Sequence, residues 1–87
     1  MEIKIGTFAK SKAGHDCDQI YVIINCDNEY VYLVDGRLKP MEHPKKKRKK
    51  HIQGINYIDQ EIIKKISCNL LKNEDIKKAI KEYKAAN

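Results

Sequence analysis

Up to about residue 55 the apolar positions repeat every second residue, and from Asp59 they repeat every three or four. The first period belongs to strands and the second to helices. Ile3 to Ala9 sets Ile3, Ile5, Thr7 and Ala9 against Lys4, Gly6 and Phe8, which predicts a half-buried strand. Ser11 to Asp18, with Gly14 and two Asp, reads as a loop. Ile20 to Cys26 carries apolar residues on both faces and is expected to be the central strand. Asp27 and Asn28 then turn the chain into a second strand, Glu29 to Val34. A further turn at Asp35 and Gly36 leads to a short edge strand, Leu38 to Glu42, limited by Pro40. His51 to Ile55 supplies a last strand. Five short strands joined by tight turns fit a small antiparallel barrel better than an open sheet with two exposed edges.

After the change of period, Ile62, Ile63, Ile66 and Leu70 form an apolar stripe behind an Asp59 N-cap, with Glu61 in the first turn. Asn73 is expected to cap a second helix whose stripe is Ile76, Ile80 and Tyr83. Helices this short are marginal alone, so their stripes must dock on something. The expected organisation is a mainly β unit over residues 1–58 with a basic loop at 44–51, followed by a helical pair over 59–87.

At 87 residues the chain has room for one domain, burying roughly 60 to 70% of its unfolded surface. With 41% apolar residues it has enough to build a core, which argues against disorder. No apolar run reaches the roughly 18 residues of a membrane span, and the first residues do not resemble a signal peptide, so a cytoplasmic protein is expected. Cys17, Cys26 and Cys68 are odd in number and widely spaced, and they read as reduced thiols.

Charge is unevenly placed. Residues 1–44 hold five basic and seven acidic side chains, and residues 51–87 hold seven and five. The net charge of +6 therefore equals the six consecutive cations Lys45 to Lys50. With no apolar residue, this run is expected to protrude as a solvated loop. Crowded cations repel one another and a polyanion relieves that repulsion, so nucleic-acid phosphate is the favoured partner. A nuclear-import segment and an unspecialised solvated loop are the other readings.

His15, Asp16, Cys17 and Asp18 hold metal-ligating side chains in succession, but adjacent ligands in a turn seldom converge, and no metal or other cofactor is expected. No nucleophile stands beside a base in a motif, and a core this small leaves little space for a substrate, so an enzyme is not expected. Phe8, Tyr21, Tyr30 and Tyr32 either offer faces for unpaired bases or pack beneath the helices, and their spacing in strands favours packing.

Four stretches together carry a resemblance: GTFAKSKAGHD from Gly6 to Asp16, YVII from Tyr21, VDGRLK from Val34 to Lys39, and PKKKRKKH from Pro44 to His51. In this order they resemble the KOW-domain RNA-binding proteins, in particular a small bacterial group similar to KOW-type proteins of the archaeal and eukaryotic large ribosomal subunit. The resemblance implies an SH3-like barrel whose KOW loop, Lys10 to Asp18 with Gly14 as the motif glycine, contacts ribosomal RNA through Lys10, Ser11, Lys12, Gly14 and His15. It also implies RNA contact by Arg37 and Lys39, and by the Lys-rich segment Lys45, Lys46, Lys47, Arg48, Lys49, Lys50 and His51. Asp18 stands where the pattern has a second glycine and adds negative charge to the loop. The expected function is a ribosomal or ribosome-associated RNA-binding protein, with large-subunit RNA and neighbouring ribosomal proteins as partners. The alternative is a protein-interaction adaptor acting in transcription or translation.

Overall fold

The computed structural model describes residues 3–12 and 19–86. The segment apolar on both faces forms the central strand of one sheet. In chain order the elements are β1 (Thr7–Ser11), β2 (Ile20–Cys26), β3 (Tyr30–Val34), β4 (Lys45–Arg48), a 3₁₀ helix (Lys49–His51), β5 (Ile52–Ile58), α1 (Gln60–Ser67) and α2 (Asn73–Ala86). The strands lie in the order β4-β3-β2-β1-β5, and every neighbouring pair is antiparallel.

Each face of β2 meets a different apolar cluster. Val22 lies opposite Phe8 and Val34, and these three join Ile62, Ile76, Ala79 and Ile80 under the helices. At the margin of this cluster Tyr57 meets Phe8 and Tyr83 edge-on while Phe8 and Tyr83 are tilted to each other, with ring centroids 4.9 to 5.6 Å apart. Tyr21 and Ile23 face the other way and are buried with Ala9, Val31, Leu33 and Ile52, all strand residues. Among the described residues no residue of α1 or α2 joins this cluster, so the strands cover it by curling the sheet. Chain length demands the same. Strands sit roughly 4.8 Å apart, so a flat five-stranded sheet would hold its edges about 19 Å apart. The four residue steps from Arg48 to Ile52 reach at most about 15 Å, and a 3₁₀ turn is shorter still. Register shifts at Ile23/Asn25 and Thr7/Phe8 supply bends that make this curvature possible. The 3₁₀ helix is tied at both ends: the Lys49 N–H donates to the Glu29 carbonyl (2.8 Å), and the Lys12 N–H donates to the His51 carbonyl (2.9 Å). The edge strands β4 and β5 do not pair, so the sheet is curled but open.

Several expected elements are displaced. The first strand begins at Thr7 because Gly6 adopts φ +93° and the Thr7 N–H and hydroxyl both bond the Lys4 carbonyl, closing a turn. It then continues through Ser11, which is buried. The second strand of the hairpin starts at Tyr30, since the Asp27 carboxylate accepts the Glu29 and Tyr30 N–H groups and holds Glu29 in the turn. The last strand runs three residues further, to Ile58. Leu38 to Glu42 is not a strand. The Asp35 carboxylate accepts the Arg37 and Lys39 N–H groups, the Asp35 N–H returns to the Lys39 carbonyl, and Leu38 is left outside the core.

The largest difference is the basic run, which is an edge strand followed by a 3₁₀ helix and not a protruding loop. Lysine stems are four methylenes long and can pack along β3 while each ammonium group reaches solvent or a polar partner.

Asp59 caps α1, accepting the Glu61 and Ile62 N–H groups. The helix stops before Leu70 because Asn69 turns into the left-handed region (φ +59°), where the Leu70 N–H reaches the Lys65 carbonyl and the Asn69 N–H reaches that of Ile66. Leu70 is therefore exposed. Asn73 does not cap α2. The Lys72 carbonyl receives the first bonds of the helix and the Asp75 carboxylate reaches back to the Lys72 N–H. Asn73 is left to accept the Met41 N–H and donate to the Glu42 carboxylate, stitching the loop after β3 to the helix. Among the described residues, no helix is long and apolar enough to cross a membrane.

Candidate nucleic-acid interface

Pairing with β3 gives the basic run two distinct faces. Arg48 lies opposite Tyr30 and Lys46 opposite Tyr32, whereas Lys47 and Lys45 lie opposite the buried Val31 and Leu33. Lys46 and Arg48 are exposed and Lys45 and Lys47 half-buried. The Lys46 ammonium stands 4.3 Å and the Arg48 guanidinium 5.6 Å from the centre of the Tyr30 ring. One aromatic ring thus steadies two cations that repel each other. On the other face the Lys47 ammonium donates to the Ser11 hydroxyl, an acceptor from β1. Ser11 is therefore buried and an internal partner of a lysine.

Beyond the strand, Arg48, Lys49 and Lys50 border an open hollow with Glu29. Behind them Asp27 organises the β2–β3 turn. The Tyr30 N–H, then that of Glu29, holds its carboxyl below the usual carboxylate range, with Lys46 and Lys49 adding to the effect. The Tyr32 hydroxyl lies 3.5 Å from the other Asp27 oxygen. Among the described residues no carboxylate comes within ion-pair distance of Lys46, Arg48, Lys49 or Lys50.

The expected site residues divide into groups. Lys45 to Lys50 are brought together, and His51, exposed, ends the 3₁₀ helix beside them. Lys10 is in β1 opposite Ile20, and Lys12 is joined through its N–H to His51. Lys39 is half-buried and closes the Asp35 loop. Arg37 is apart from β4, on the α2 side of the sheet with Lys77, Lys81 and Lys84. Gly14, His15 and the rest of the segment from Ala13 to Asp18, including the four successive metal-ligating side chains, lie outside the described residues.

Of the four aromatics, Phe8 and Tyr21 are buried, Phe8 beneath the helices and Tyr21 in the strand-only cluster. The Tyr30 ring is engaged by cations. Its part in ordering Lys46 and Arg48 has no signal in the sequence, because the register that joins them is a property of the paired strands. No family model matches the chain, and comparison with curated proteins finds no match.

Proposed function

We propose that this chain is a non-enzymatic RNA-binding module that holds the phosphate backbone with β4 and the 3₁₀ helix. The observation that carries the reading is the cationic edge: consecutive basic side chains on an open strand, with Lys46 and Arg48 ordered over Tyr30 and, among the described residues, no carboxylate within ion-pair distance of either. Phosphate would replace the missing counter-charges and release condensed ions as it binds. Lysine predominates, so the contact is with backbone charge more than with base edges. Duplex RNA, whose base edges are hidden in a narrow groove, suits such a surface.

In this reading the curled sheet is an SH3-like barrel of the KOW type, supported by the 3₁₀ link between its edge strands. The protein is then a component or companion of the large ribosomal subunit. Lysines also protect an edge strand from pairing with other sheets. That role explains one or two charges and leaves six in succession unexplained.

The test is binding of structured RNA by the full chain between 50 and 200 mM salt. Four to six phosphate contacts give a slope of log K against log salt of roughly −3 to −5. A slope near −1 or shallower would favour the adaptor reading, since apolar burial against a protein releases no condensed counterions.

A further inference from the structure

We infer that a second site, for a nucleoside phosphate, lies between α2 and the start of β2, and that an RNA strand presents the ligand. It rests on the RNA reading only for the source of that ligand. The hollow has a volume of about 360 Å³, within the range of small-ligand sites. Its wall is cationic: Lys77, Lys81 and Lys84 succeed one another at helical spacings of four and three and so share a face of α2, and Arg37 joins them from the loop after β3. β3 separates β2 from β4 in the sheet, so this is a different surface from the basic edge.

Three features point to a ligand. First, like charges at these spacings oppose helix formation, and the helix dipole accounts for Lys84 in the last turn but not for Lys77. Second, the one carboxylate lining the hollow, Asp35, is engaged by the N–H groups of Arg37 and Lys39, each at 2.9 Å. Among the described residues none of the four cations has an ion-pair partner. Third, Arg37 is held in place, because the adjoining Gly36 is packed directly against the backbone of α2.

Between the cations, Ile20 and Ile80 line the hollow with apolar surface. Cations around an apolar surface match a molecule with a flat, weakly polar base or sugar at one end and a phosphate at the other. A bare phosphate would leave the isoleucines unused, and an apolar ligand would leave the cations unused.

The experiment uses the ¹⁵N-labelled full chain, titrated at low salt with adenosine 5′-monophosphate and separately with a short single-stranded RNA. The triple variant R37Q/K81Q/K84Q changes exposed residues only, and its melting temperature serves as the folding control. Both ligands should shift the amides of Gln19, Ile20 and Lys81 in the wild type. The triple variant should lose the mononucleotide shifts, bind RNA about tenfold more weakly, and show a salt slope flatter by about 2, for three contacts at roughly 0.7 each. The inference is overturned if neither ligand moves those amides, or if the triple variant binds RNA as the wild type does. Mononucleotide shifts in a wild type that binds no RNA would overturn the RNA reading and the strand as source, while the hollow would stand as a nucleoside-phosphate site. RNA binding lost in K46Q/R48Q but unaltered in the triple variant would sink this site and leave the basic edge intact.

Discussion

A Cβ placed on Gly36 would stand 2.5 Å from the main-chain carbonyl oxygen of Asn73. The turn after β3 and the first turn of α2 therefore meet backbone to backbone, and Gly36 also has φ +79°. A side chain there meets two costs at once, since the left-handed region costs about 1–2 kcal/mol and a backbone carbonyl cannot swing aside. Gly36→Ala should lower stability by about 2 kcal/mol or more, a fall in melting temperature of roughly 10 °C for a domain of this size. Gly6→Ala should cost less. Its φ is also positive, but its nearest neighbour, at 2.9 Å, is the Ile63 side chain, which can move. Thermal melts of the two variants side by side check the order, and an equal or reversed order would refute the backbone contact.

The Lys65–Asp75 pair, at 2.7 Å, links α1 to α2 and gives stability a definite pH dependence. The Lys65 ammonium, and then the Lys72 N–H, hold the Asp75 carboxyl below its ordinary value against the effect of desolvation. A lowered folded pKa stabilises above the unfolded value and loses that contribution as pH falls through the folded one, here in the region below about pH 4. Lys65 is raised by the same hydrogen bond, so its contribution is complete below its ordinary value of 10.5 and lost above it. Asp75→Asn keeps one oxygen for the Lys72 N–H and removes the charge together with the second oxygen, which accepts from Lys65. It should melt slightly below the wild type at pH 7, and the gap should close towards pH 2. A gap that stayed constant with pH would mean that packing, not charge, is what the substitution alters.

How far the sequence could be read depends on contrast between neighbours. β2 was legible because seven residues with apolar groups on both faces fit few places other than the middle of a sheet. The Asp59 cap was legible because its partners, Glu61 and Ile62, are two and three residues away. β4 was not, since alternation has no visible period when all six residues are alike, and only its register with Tyr30 and Val31 separates the lysines into two faces. Asn73 differs from expectation for a related reason. Its best partners, Met41 and Glu42, are more than thirty residues away, and a competing cap, Asp75, was available locally. The shared face of Lys77, Lys81 and Lys84 could be counted along the helix, but the arrival of Arg37 beside them is tertiary and has no local signal.

Strand and loop make opposite predictions for proline in the basic run. The Lys49 N–H points at the Glu29 carbonyl, and alternate residues of a strand point the same way, so the N–H of Lys47 faces β3 and that of Lys46 faces the open edge. Lys47→Pro removes a ladder bond and leaves its β3 partner unpaired, and should cost about 1–3 kcal/mol. Lys46→Pro should be much milder, because proline is tolerated where an edge N–H meets solvent. Chemical denaturation of the two variants tests this. Equal, small effects would return the segment to a loop.

The two faces of β4 also predict a crossover between binding and stability. Lys46 and Arg48 are exposed and ordered by Tyr30, whereas Lys45 and Lys47 are half-buried beside Val31 and Leu33, with Lys47 bonded to Ser11. Replacing Lys46 and Arg48 with Gln should therefore reduce RNA affinity more than it lowers the melting temperature, and flatten the salt slope by about 1.5 for two lost phosphate contacts. Replacing Lys45 and Lys47 with Gln should do the reverse, because shorter stems cover less of β3 and the bond to Ser11 changes from ammonium to amide. Gln retains polarity and chain direction, so neither pair should unfold the protein. If both pairs lost RNA affinity equally with unchanged melts, the cations would act as an undifferentiated cloud of charge, and the ordering of Lys46 and Arg48 over Tyr30 would have no part in binding.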